Sequence, residues 1–70
     1  MATLKQLRFR SGLSLSQIAR KANVATSTVS RAEQGEPIQE IKAAQIARAL
    51  GELLGRNIRV EDIEGLNVYQ

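Results

Sequence analysis

Ser14 to Gly35 (SLSQIARKANVATSTVSRAEQG) reads as two short helices joined by a tight turn, and this stretch decides the fold. Ser14 followed three residues later by Gln17 has the form of a capping box, in which each side chain satisfies an orphan backbone N–H, so the first helix begins near Leu15. Ile18, Ala19 and Ala22 recur at i, i+1 and i+4 and line one apolar stripe, which leaves Gln17, Arg20 and Lys21 on the wet side. Asn23 belongs to the few non-glycine residues that tolerate positive φ, so it closes this helix and turns the chain. A second helix follows from about Ala25, with Val29 and Ala32 facing inward and Val24 near the turn. Thr26, Ser27, Ser30 and Arg31 then share the opposite face. Such a face suits a helix that enters the major groove of DNA, where small hydroxyls permit close approach and Arg bonds bidentately to guanine O6 and N7.

Working outward, Leu4 and Leu7 predict a helix from about Thr3 to Ser11, stopped by Gly12, with Leu13 as a packed connection. Phe9 lies off that stripe, either at the core edge or in an interface; the core edge is the favoured place. After Gly35, Pro37 forbids continuation of the second central helix. Ile38, Ile41, Ile46, Leu50 and Leu53 supply a stripe for a further helix from Ile38 or Gln39 to Leu54, or only to Gly51, since an internal Gly costs about 1 kcal/mol relative to Ala. Ala43, Ala44, Ala47 and Ala49 allow neighbouring helices to approach closely. Beyond Gly55, a short fifth helix is expected over Val60 to Glu64, and the tail from Gly65 to Gln70 either returns to the core or forms a dimer contact. The expected fold class is an all-α compact bundle of four to five helices around a central helix-turn-helix. It forms one domain over residues 1–70, with a core over 3–54 and a fifth helix and tail over 55–70.

A chain of 70 residues buries only about 60% of the surface its unfolded form exposes, so its core is small. Cys and His are absent, which removes disulfides and thiolate or imidazole zinc sites, and we expect no metal and no cofactor. The lack of Cys suits a reducing compartment, and the longest uncharged runs fall well short of the ~20 residues of a membrane span, so a cytoplasmic protein is expected. Nucleophile–base pairs, a paired-carboxylate arrangement and a glycine-rich phosphate loop are also missing, so an enzyme is not expected.

Charge is distributed unevenly. The formal total is +3, yet residues 1–31 carry Lys5, Arg8, Arg10, Arg20, Lys21 and Arg31 with no acid, whereas residues 32–70 hold all seven acids against four cations. A basic half that coincides with the two-helix unit is what a phosphate-tracking surface requires, and the acidic remainder keeps the other side off the duplex. Arg10, Arg20 and Lys21 are the candidates for phosphate neutralisation, with Gln17 on the same wet side.

LxxLR at Leu4–Arg8, GLS at Gly12–Ser14, IA at Ile18–Ala19, TVSRAEQG at Thr28–Gly35, Pro37 and IARALG at Ile46–Gly51 together resemble the lambda-repressor-like (Cro/CI-type, XRE-like) helix-turn-helix family. The resemblance covers about two thirds of the chain and implies a helical bundle that binds operator DNA, usually as a two-fold dimer. By position, Thr26, Ser27 and Arg31 match the principal base readers with Ser30 alongside, and Ser14 and Gln34 match helix-terminal phosphate contacts. Arg8 and Glu33 match a structural ion pair between the first helix and the end of the third. Three positions depart from the family pattern. Leu15 stands where a phosphate-touching Gln is common, Asn23 replaces the commoner Gly, and Ala25 replaces the usual Ser or Thr cap, so that Thr26 serves as either cap or base reader. The expected function is sequence-specific binding of double-stranded operator DNA by a transcriptional regulator, as a homodimer. The alternative is an antitoxin or other protein-binding partner that uses Ile58, Val60, Ile63, Leu66 and Val68 as its contact surface and autoregulates its own promoter.

Overall fold

The computed structural model describes residues 2–69; Met1 and Gln70, the outer limits of the expected domain, lie outside them. Four helices carry the fold: α1 (Leu4–Ser11), α2 (Leu15–Ala22), α3 (Thr26–Glu33) and α4 (Glu40–Leu54). Each short helix ends where local chemistry stops it. Thr3 and Gln6 form a reciprocal capping box at the start of α1, Ser14 and Gln17 form another at the start of α2, and Gly12 and Asn23 close these helices in the left-handed region at φ 70° and 61°. Among the described residues Asn23 is the one non-glycine with positive φ.

α2 packs against both α3 and α4, and the centre is filled by Ile18, Val29, Ile46 and Leu50, all fully buried. Leu4 and Leu7 of α1 and Ile63 from the C-terminal segment close the core. Of the five large residues expected to form the stripe, Ile38, Ile46 and Leu50 are buried and Ile41 and Leu53 are not; on α4 the small residues Ala43, Ala47, Ala49 and Gly51 complete the buried face. Ile41 lies two residues before Ala43, about 200° round the helix, and is 66% exposed; Leu53, in the last turn, is 37% exposed. Ala44 is exposed as well.

α4 runs through Gly51 and ends at Gly55 in the left-handed region, so Gly51 is no terminator. Its role is close approach: a Cβ there would stand 2.6 Å from the Arg56 carbonyl oxygen and 3.3 Å from the Ile58 nitrogen. The returning chain therefore lies directly on the helix backbone.

Four strands of two residues each accompany the helices. β1 (Ala2–Thr3) pairs in parallel with β3 (Ile63–Glu64), and β2 (Ile38–Gln39) pairs in parallel with β4 (Val68–Tyr69). They correct two expectations. α4 starts at Glu40 rather than at Ile38 or Gln39, because Ile38 N–H is taken by the Asn67 carbonyl at 3.1 Å in the β2–β4 ladder. The fifth helix is instead a single 3₁₀ turn, Val60–Asp62, closed by the Asp62 carboxylate on Arg59 N–H at 3.0 Å and followed by β3. The tail returns to the core: Ile63 is buried, and Ile58, Val60, Leu66 and Val68 pack against the cluster half-buried.

Phe9 is not at the core edge. It is 61% exposed, with the Lys5 ammonium 5.6 Å and the Arg8 guanidinium 4.6 Å from its ring centre. Leu4 and Leu7 already occupy the buried stripe of this short helix, which leaves Phe9 on the solvent side beside two cations. No helix among the described residues is long and apolar enough to cross a membrane.

Candidate nucleic-acid interface

Val29 and Ala32, buried against α2 and α4, fix the rotation of α3 and thereby its outer face. Thr26, Ser27 and Arg31 are exposed there and Ser30 is half-buried, so the four residues expected to face outward do so. Ala25 occupies the capping position in extended backbone (φ −68°, ψ 145°) and provides no side-chain acceptor, while Thr26 is the first helical residue and does not act as the cap. Its hydroxyl is left for an external partner. The N–H groups of Thr26 and Ser27 also lack intrahelical acceptors, as the first residues of any helix do. The leading end of α3 is therefore rich in donors, and the helix dipole adds positive potential.

At the start of α2 the capping box consumes part of the polar equipment. Ser14 Oγ accepts from Gln17 N–H at 3.1 Å and Gln17 Oε1 accepts from Ser14 N–H at 2.7 Å. The Ser14 hydroxyl proton, the Gln17 amide NH₂ and the N–H groups of Leu15 and Ser16 are the donors that remain, and a helix N-terminus presenting them is suited to a phosphate. Leu15 is half-buried and contributes packing in place of a polar contact. Arg20 and Gln34 are exposed.

The cations differ in how they are held. Arg31 Nε lies 3.8 Å from Glu36 Oε1, and Lys21 Nζ lies 3.2 Å from Glu52, which also receives Arg48 Nε at 3.5 Å. All of these side chains are about half exposed or more, so each pair contributes about 1 kcal/mol or less and is screened by salt. Arg10 shares a groove with Gln6, Arg56, Asn57 and Asp62, between α1 and the chain that follows α4.

Arg8 has a different environment. It donates through Nε and, at 3.2 Å, through Nη2 to the two carboxylate oxygens of Glu33, and through Nη1 to the Leu13 carbonyl at 3.3 Å. Both side chains are largely buried, at 14% and 9% exposure, so this fork joins α1 to the end of α3. Three residues absent from the expected site lie beside Arg31: Gln39, Lys42 and Tyr69 line a small hollow with it and with Thr28. No local signal marks them, because Tyr69 reaches α3 only through the β2–β4 pairing with residues far earlier in the chain.

Two short helices at a tight turn, the first capped and the second presenting a polar, donor-rich face at its leading end, define a helix-turn-helix unit of the kind that places its second helix in the major groove. The chain belongs to the helix-turn-helix domain family, whose profile matches residues 2–57. No curated protein and no solved structure matches it.

Proposed function

We propose that the protein is a sequence-specific regulator of transcription that acts in the cytoplasm, lays α3 in the major groove of double-stranded DNA and binds its operator as a homodimer. The observation that carries this reading is the outward row Thr26, Ser27, Ser30 and Arg31, whose hydroxyls are not spent on capping α3. Arg31 is the principal base reader, with discrimination of about 1–3 kcal/mol against the wrong base pair. Ser14, Gln17, Arg20 and Gln34 bind phosphates and fix register, and Lys21 joins them by leaving Glu52. Arg10 and Arg31 add to the attraction of the basic half for the duplex. Residues 1–70 act as one DNA-binding domain, with two-fold half-sites about one helical turn apart, 10 to 10.5 bp. The residues that the antitoxin reading assigns to a partner, Ile58, Val60, Ile63, Leu66 and Val68, lie against the chain's own core, which favours DNA over a protein ligand.

Selection of bound sequences from a random duplex pool at two salt concentrations tests the proposal. A symmetric consensus is expected, and Arg31→Ala should relax the preference at one position of each half-site while leaving the others intact. A pool that returns no consensus, or an Arg31→Ala protein that loses affinity evenly across all sequences, would count against the assignment.

A further inference from the structure

The C-terminal segment does more than cover the core. Asn67 fastens it to the connection between α3 and α4 from two sides, its side-chain amide donating to the Gly35 carbonyl and its own carbonyl accepting from Ile38 N–H at 3.1 Å. β4 then runs beside β2 with Tyr69 opposite Gln39. This places Tyr69, 49% exposed, near the C-terminal part of the helix that carries the proposed base readers. A hollow of about 140 Å³ opens there, with Pro37 and Ile38 as its apolar part and Thr28, Arg31, Gln39, Lys42 and Tyr69 as its polar wall, and among the described residues no carboxylate lines it. Glu36, next to Pro37, lies 3.8 Å from Arg31 Nε and is not among the residues that line the hollow.

We propose that this hollow receives a backbone phosphate of the bound duplex next to the base pair read by Arg31, with the Lys42 ammonium and the Tyr69 hydroxyl as its donors. The inference rests on the DNA-binding reading above and adds the folded-back tail to the DNA surface. Its chemistry follows from the lining: a guanidinium, an ammonium, a carboxamide, a phenol and a buried hydroxyl offer donors with a positive balance. A phosphodiester presents two non-bridging oxygens and one negative charge, and needs that combination. A guanine edge also accepts from an ammonium through O6 and N7, but it carries no net charge to balance the positive lining. The phenol sits on a ring with only two side-chain torsions, on a residue paired in a strand, so less conformational freedom is lost on binding than for a long flexible side chain.

The full chain and a duplex obtained by selection supply the test. Tyr69→Phe retains the ring and β4 and removes only the hydroxyl; it should weaken binding about fivefold, the worth of one net hydrogen bond, by the same factor on cognate and altered sequences and without change in salt slope. Lys42→Gln should weaken binding similarly and reduce the slope of log K against log salt by about one. Methylphosphonates scanned singly along the duplex should reveal one phosphate whose neutralisation harms the parent protein but not the Tyr69→Phe, Lys42→Gln double variant. Should Tyr69→Phe lower the melting temperature, Lys42→Gln on the surface of α4 and the methylphosphonate scan still decide the matter. The inference is overturned if both variants bind like the parent while Arg31→Ala still alters base preference; the DNA reading then stands without the tail. It is also overturned if Tyr69→Phe disrupts self-association and leaves DNA affinity intact, which would make the tail a protein contact. A parent protein with no salt-dependent affinity for any duplex defeats the DNA reading itself, and the inference with it.

Discussion

At the residue scale two residues, Arg8 and Gly51, hold positions that no neighbouring chemistry can replace. Arg8 spans α1, the Leu13 carbonyl and both carboxylate oxygens of Glu33, and with Glu33 only 9% exposed its removal strands a carboxylate in a site that water reaches poorly. We expect Arg8→Ala to destabilise the fold by about 3 kcal/mol, seen as a lower urea midpoint at unchanged slope. An unchanged midpoint would remove the structural role of the pair. Gly51 presents the opposite problem, a missing side chain. Alanine is the better helix former by about 1 kcal/mol, yet here its Cβ would meet the Arg56 carbonyl oxygen at 2.6 Å, and that atom is backbone held by the Arg56 N–H to Gly51 carbonyl bond at 2.9 Å. Gly51→Ala should therefore lower stability by about 1–3 kcal/mol, as overpacked sites do, and a stabilised variant in thermal melts would show that the returning chain yields freely.

At the element scale, legibility followed the range of the interactions. The end of α1 and both ends of α2 were readable because their stop signals act within a few residues: Ser14 with Gln17, Gly12 and Asn23 at φ > 0; the Thr3–Gln6 box at the start of α1 emerged only in the structure. The outward face of α3 was readable because a 3.6-residue period that buries Val29 and Ala32 leaves Thr26, Ser27 and Arg31 only one place to go. The four strands were not, since two residues have no period and their partners lie about thirty to sixty positions away, as in Ala2 with Ile63 and Ile38 with Val68. The same cause hid Tyr69 and Lys42 beside Arg31, and it turned an expected fifth helix into a turn and a strand. The start of α3 retains one locally correctable weakness. Ala25 already has the backbone of a capping residue but no acceptor. Ala25→Ser should add about 1 kcal/mol of stability and raise the melting temperature by about 4–8 °C. A serine that leaves the melt unchanged would mean that solvent already serves those N–H groups equally well.

For the molecule as a whole, the division of charge along the chain survives folding only in part. Six cations occupy residues 1–31 without an acid, but Glu33 pairs with Arg8, Glu36 lies 3.8 Å from Arg31 and α4 carries Glu52 to within 3.2 Å of Lys21, so three acids of the second half offset charge on the first. Glu52 also holds Arg48, and all three side chains are at least 46% exposed, so the cluster is soft and responsive to ionic strength. If Lys21 contributes to the field that attracts a duplex, the two members of its pair must act with opposite sign. Lys21→Ala should weaken binding to all sequences alike and lower the salt slope, because a phosphate-directed cation is lost. Glu52→Gln releases Lys21 and Arg48 together and should strengthen binding to non-cognate duplexes and steepen the slope, with little cost in stability since exposed pairs contribute about 1 kcal/mol or less. The double variant discriminates between direct contact and distant field. Were Lys21 to touch phosphate, Glu52→Gln would lose most of its effect once Lys21 is gone; if both substitutions act only through the net charge of the molecule, their effects on log K will add.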